Sequence, residues 1–193
     1  MSVLVVAHDP AWRAQFEAIA RDLGQALAAV PHVSIEHVGS TSVAGLAAKP
    51  VLDIDILVRA DQVAAAVGAL GQVGYVHRGD LGITGREAFR APDDSPRRHV
   101  YVSTPDNLHV KNHLAVRHVL RTRTDLRDEY GAVKLGLAAD PEMDIDTYVA
   151  RKSGILQKIL AESSLSEDDR AAILRLNDPA SVSGAAGQGL PSC

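Results

Sequence analysis

The chain has 193 residues, 46% of them hydrophobic and 23% charged, with a formal net charge of −4. That balance suits one soluble domain with a single substantial core and excludes a bulk electrostatic affinity for nucleic acid. One cysteine, Cys193, excludes a disulfide framework or a cysteine metal cluster. The opening MSVLVVAHDP lacks a basic signal-peptide start, and no apolar run reaches membrane-spanning length, so a cytoplasmic protein with no membrane partner is expected.

In chain order, residues 3–7 (VLVVA) read as a short strand. Asp9-Pro10 then supplies a cap and a first-turn proline, followed by Trp12, Phe16, Ile19, Leu23 and Leu27 at helical spacing. Ser34–Val38 and Val51–Val58 read as strands, with one or two helical turns expected at 43–48. A helix capped by Asp61 carries Val63, Val67 and Leu70, and Tyr75–His77 reads as a third strand. Residues 79–98 are rich in Gly, Pro and charge and read as a loop with brief pairing at Phe89–Ala91. His99–Val102 alternates as a strand, and helices are expected over 106–121, 124–138 and 145–161. A domain at 1–162 is expected, then a polar, flexible tail at 163–193 with one weak amphipathic piece at 167–176. Strands early and helices late predict an α+β fold, a mixed sheet with a helical C-terminal half.

The stretch HVGSTSVAGLAAKPVLDIDILV, residues 37–58, carries the chemistry. The Gly39-Ser40 turn, with Thr41 and Ser42, offers N–H groups and hydroxyls to an anion, and Lys49 adds a positive charge. The same hydroxyls could simply cap a helix. Asp53 and Asp55 share one face of their strand, and burying both is costly unless they are paired or meet a cation. Mg²⁺ takes one or two carboxylates plus substrate phosphates, so the pattern points to phosphoryl or nucleotidyl transfer.

Apolar-Gly-Ser followed by Asp-apolar-Asp-apolar resembles the signature of the DNA polymerase beta-like nucleotidyltransferase superfamily. More closely, IEHVGSTSVAGLAAKPVLDIDILV resembles the GrpB-like family, with Ala44 where those proteins carry proline. The likeness continues through GITGREAFR, RRHVYV, HLAVRHVLR, DEYGAVKLGLA and DTYVARKSGILQKIL, roughly residues 3–161. It implies a nucleotidyltransferase-like fold in which the Gly-Ser turn opens a helix beside the nucleotide. It also implies Asp53 and Asp55 as ligands of Mg²⁺ (or Mn²⁺). One departure stands out. Where the superfamily places a third carboxylate on a later strand, RRHVYV offers His99 and Tyr101, and neither Glu36 nor Glu87 fits the pattern.

Lys134 and Lys152 each follow a tyrosine by four residues and fall on apolar helix faces. Such lysines snorkel, pair with an acid or meet an anion. Arg86 and Arg90 could clamp a phosphate or carboxylate, or lie in a solvated loop. His109, His113 and His118 show no tight ligand motif, and zinc is not expected. The expectation is an ATP- or other NTP-dependent nucleotidyltransferase acting on a small-molecule acceptor. Asp53, Asp55 and His99 would be catalytic, and Gly39, Ser40, Thr41, Ser42, Lys49, Arg86, Arg90, Lys134 and Lys152 would hold phosphate or nucleotide. The alternatives are a catalytically idle nucleotide-binding module and a ligase working through an acyl-adenylate.

Overall fold

Asp9-Pro10 starts a helix as expected: the Asp9 carboxylate accepts from the Ala11 N–H at 2.9 Å, and α1 runs Ala11–Ala26 with Trp12, Ile19 and Leu23 buried. The protein is described here by a computed structural model over residues 3–176. After α1 come β1 (His32–Val38), β2 (Leu52–Val58), α2 (Val63–Gln72), β3 (Val76–His77), β4 (Arg86–Arg90) and β5 (Arg98–Ser103). Four helices follow: α3 (Leu108–Thr122), α4 (Thr124–Ala138), α5 (Ile145–Ala161) and α6 (Glu167–Leu176). No described helix is long and apolar enough to cross a membrane.

The five strands form one mixed sheet in the order β1-β2-β5-β4-β3. β2 and β5 are parallel, and every other neighbouring pair is antiparallel. All seven residues of the interior strand β2 are buried, so both of its faces are covered. Period-two alternation sends Leu52, Ile54, Ile56 and Val58 to one face. There they join Val100 and Val102 of β5, Leu23 and Leu27 from the α1 end, and Ala66 and Leu70 of α2. Each fully buried aliphatic side chain contributes roughly 1.5–3 kcal/mol. A second core of Val116, Leu120, Leu126, Tyr130, Ile155 and Ile159 holds the C-terminal helices together.

The opposite sheet face is polar, and register fixes its layout. One row across the strands is Val38–Asp53–His99–Arg90, and the next is Glu36–Asp55–Tyr101–Ala88. α3 lies against this face, sending Arg117 to Glu36 and His113 to Asp55.

Four expectations from sequence change. The strand at 3–7 reduces to a single bridge between Val6 and Ala48, its two N–H···O bonds both 2.9 Å. The helical turns expected at 43–48 are instead one 3-10 turn at Ser40–Ser42, because Gly39 at φ 67° turns the chain three residues earlier. The loop at 79–98 contains β4, whose alternation was masked because Arg86 and Arg90 flank the buried Ala88 and Phe89. The expected tail is not flexible throughout: its amphipathic piece at 167–176 forms α6, whose Ile173 is buried in the second core. The rest of the expected tail, 177–193, lies outside the described residues.

Candidate functional site

Gly39 sits hard against the aspartate strand. A Cβ at this position would lie 2.3 Å from Asp53 Oδ2, and its positive φ is one that side-chain-bearing residues rarely adopt. The hydroxyls beside it divide their tasks. Ser42 Oγ donates to the Gly39 carbonyl at 2.7 Å, and Thr41 Oγ1 lies 3.0 Å from His37 Nε2, so these two shape the turn. Burial of His37, whose ring stacks on Phe16, pushes its pKa down to about 4. Two arginines of α3 brace the turn from outside: Arg117 donates to the His37 carbonyl at 2.8 Å and Arg121 to the Ser42 carbonyl at 2.8 Å. The turn opens only a three-residue 3-10 segment rather than the helix expected from the resemblance. Any anion there must be held mainly by side chains.

One lysine reaches Ser40, and two more lie near it. Lys134 of α4 donates from Nζ to Ser40 Oγ at 2.8 Å and lies 4.4 Å from the centroid of the Tyr130 ring. Lys152 of α5 and Lys49 of the β1–β2 connection lie 5.1 and 4.8 Å from the centroid of the Tyr148 ring. Lys134 and Lys152 are 2% and 1% exposed, so both point inward as their helix faces predict. Burial, then the charges of Lys152 and Lys49, lower the Lys134 ammonium to about pKa 6. Lys49 is also lowered, mainly by burial, with Asp53 acting the other way. Three lysines from three separate segments thus lie near one another, one of them on the Gly-Ser turn.

Asp53 and Asp55 share a face but not an environment. Asp53 Oδ1 is 2.9 Å from His99 Nδ1, and the His99 side chain is 39% exposed. Asp55 is fully buried, with Oδ2 2.8 Å from His113 Nδ1 and Oδ1 3.7 Å from His109 Nε2. Asp55 Oδ1 and His109 Nε2 make no hydrogen bond. Burial first, then the neighbouring His113 and Arg86, hold the His109 pKa far below its ordinary value, so its ring is neutral. Glu36, the acid beside Asp55 on β1, is turned to Arg117 at 2.8 Å. Its burial would raise its pKa, but the Arg117 and Ser34 hydrogen bonds outweigh that and lower it.

The fold therefore gathers Gly39, Ser40, Lys49, Lys134 and Lys152, with Asp53 and His99 adjoining. It separates Arg86 and Arg90, which share the face of β4 two strands from the aspartates. Arg86 is buried 4.9 Å from the Tyr101 ring centroid and donates to the Asp80 carbonyl, while Arg90 is exposed at the rim. His109 and His113 went unassigned in sequence. Their i, i+4 spacing, which stacks two side chains on one helix face, was the available signal.

Mg²⁺, which the fold class implies, can be weighed against these donors. Asp53, at the lysine cluster and the Gly-Ser turn, fits a hard cation carrying phosphates. Asp55 does not: its carboxylate is enclosed with two imidazoles, donors that suit other metals better.

A mixed sheet flanked by helices, with an Asp-x-Asp strand beside a Gly-Ser turn, defines a nucleotidyltransferase-type fold. A solved GLD-2/RNP-8 complex shares that fold at TM-score 0.53 and 11% identity, over 97% of this chain and 75% of that one. Within it, this chain belongs to the GrpB family, whose model, described as GrpB protein, matches residues 2–162. The crystal structure of conserved protein GrpB from Enterococcus faecalis superposes at TM-score 0.70 with 34% identity, covering 82% of this chain and 98% of that one. UPF0157 protein BH1888 of Halalkalibacterium halodurans is 32% identical over 166 residues, 84% of this chain and 83% of its own length. UPF0157 protein YqkA of Bacillus subtilis is 33% identical over 121 residues, 62% of this chain but only 35% of the relative.

Proposed function

We propose that the protein binds a nucleoside triphosphate, ATP by preference, and transfers its nucleoside monophosphate to a small acceptor. The observation that carries this reading is Lys134 held on Ser40, with Lys152 and Lys49 close enough to act on its charge and Asp53 acting on Lys49. Burying Lys134 beside two further lysines suppresses its charge, a cost that an apolar side chain at the same place would not carry. A triphosphate would favour the charged form of Lys134 and offset that cost.

In this reading Ser40 and the lysines grip the phosphate chain and fix the α-phosphorus for attack. Positioning and charge neutralisation provide most of the catalysis in such transfers. A divalent ion arriving with the nucleotide, held by Asp53, would supply Lewis-acid polarisation of the phosphate. His99 Nδ1 faces Asp53, leaving the rest of its half-exposed ring to receive the acceptor's proton. The acceptor–phosphorus bond forms, the bond to the leaving pyrophosphate breaks, and the proton passes to the imidazole. Arg90 stands at the rim, where a substrate's outer end would lie.

A second reading, a binding module without turnover, is favoured by one feature: β5 presents His99 and Tyr101 to the aspartates, and the nearest remaining acid, Glu36, is occupied by Arg117. Calorimetric titration with a non-hydrolysable ATP analogue tests the shared core of both. Binding should strengthen with Mg²⁺ in the parent and lose that dependence in Asp53→Asn. No binding by the parent would refute both readings. Binding without pyrophosphate release from ATP across a panel of small alcohols, amines and carboxylates would leave the second.

A further inference from the structure

We propose that Asp55, His109 and His113 form a second, separate metal site for one divalent transition ion of the zinc class, fastening α3 to β2. The three side chains offer two imidazole nitrogens and a carboxylate oxygen, all within 4.8 Å of one another and all buried. That spacing already approximates a metal shell. Ligand atoms at the roughly 2.0–2.1 Å bond lengths of zinc stand about 3.3–3.4 Å apart at tetrahedral angles. Here His113 Nδ1 lies 2.8 Å from Asp55 Oδ2 and His109 Nε2 3.7 Å from Asp55 Oδ1, the two imidazoles approaching one carboxylate through its two oxygens.

The independent observation is the pair of orphaned atoms. Asp55 Oδ1 and His109 Nε2 are buried, face each other at 3.7 Å, and have no hydrogen-bond partner. A buried carboxylate oxygen left this way loses its hydration without replacement. A bound cation satisfies both atoms at once and displaces the proton between His113 Nδ1 and Asp55 Oδ2. The donor set selects the ion. Imidazole nitrogen suits zinc, cobalt, nickel and iron, whereas Mg²⁺ demands oxygen and retained water. Arg86 opposes any cation here, since its charge reaches His109. The Asp55 carboxylate offsets one positive charge of the ion.

Because all three ligands are enclosed, loading is coupled to folding. The chain is stripped of metal by chelator in urea and refolded with one equivalent of cobalt(II), without nucleotide. The expected result is one bound ion with the intense visible bands of four-coordinate cobalt and a raised unfolding midpoint. His109→Gln keeps a nitrogen near Nε2 but removes the imidazole, and should bind cobalt at least tenfold more weakly with no change in metal-free stability. If His109→Gln does not refold, His113→Asn serves as the second variant, since its amide can still donate to Asp55. Three outcomes overturn the proposal: no stoichiometric binding, faint six-coordinate bands insensitive to both variants, or variants that bind as the parent does. Because no nucleotide is present, failure here leaves the triphosphate reading untouched.

Discussion

Replacing Lys134 by methionine separates what the residue does for the fold from what it does for a ligand. Methionine keeps most of the stem volume and removes the ammonium. With the ordinary pKa at 10.5 and the folded value at about 6, the lysine is mostly neutral in the fold at pH 7 and charged in the unfolded chain. Folding must then release a proton, at ~1.36 kcal/mol for each of about 3.5 pH units, a ceiling of about 5 kcal/mol. The lost Nζ–Ser40 hydrogen bond returns about 1 kcal/mol, and compactness of the unfolded chain trims the rest. Lys134→Met should therefore be more stable than the parent by about 1–4 kcal/mol at pH 7, read as a shifted urea midpoint. The sign of the pH dependence follows. Between about pH 6 and 10.5 the unfolded state holds more protons, so the parent gains stability as pH rises and the mutant's advantage shrinks. The same variant should bind a triphosphate about 1–3 kcal/mol more weakly, by calorimetry, while adenosine binds both alike. A mutant that is less stable at pH 7, or whose advantage grows toward pH 10, would refute the argument. Equal losses for triphosphate and adenosine would show pocket damage instead.

Triphosphate binding near pH 7 should also take up protons, because the anion restores the Lys134 ammonium. Calorimetry in buffers of different ionisation enthalpy measures this, and zero uptake would contradict the charge state assigned to the lysine. Gly39→Ala should cost about 1–3 kcal/mol, since its Cβ meets Asp53 Oδ2 at 2.3 Å and φ is 67°. It should also abolish analogue binding by the folded fraction. Ile173→Ala should lower stability by about 2–4 kcal/mol in denaturant melts if α6 belongs to the core; a change under about 0.5 kcal/mol would mean that it does not.

The parts of the site legible in sequence were those with a local signature. The alternation Leu52-Asp53-Ile54-Asp55-Ile56 reveals both the strand and its polar face, and Tyr130/Lys134 and Tyr148/Lys152 reveal lysines turned inward. What was not legible depends on long-range register. Asp55 meets His113 across 58 residues and Ser40 meets Lys134 across 94, and no local pattern encodes either pairing. Only the end of β4 was legible, as brief pairing at Phe89–Ala91, because its buried arginine reads as a loop charge until Tyr101 and the Asp80 carbonyl are seen beside it. The Ser40–Ser42 turn was placed late because the short Gly-Ser-Thr-Ser run does not say where Gly39 takes its positive φ.

The two faces of the sheet are completed at different points along the chain. All five strands and both helices on the apolar face lie within residues 11–103, whereas α3, which lies on the polar face, begins only at residue 108. On a ribosome releasing roughly 5–20 residues per second, the apolar side can close while the other side still faces water. There, Glu36, Asp53, Asp55, Arg86 and Arg90 are solvated groups that repel aggregation rather than invite it. The carboxylates that are hard to bury in the finished protein thus protect its unfinished form, and the desolvation falls on the last step, when α3 to α5 dock.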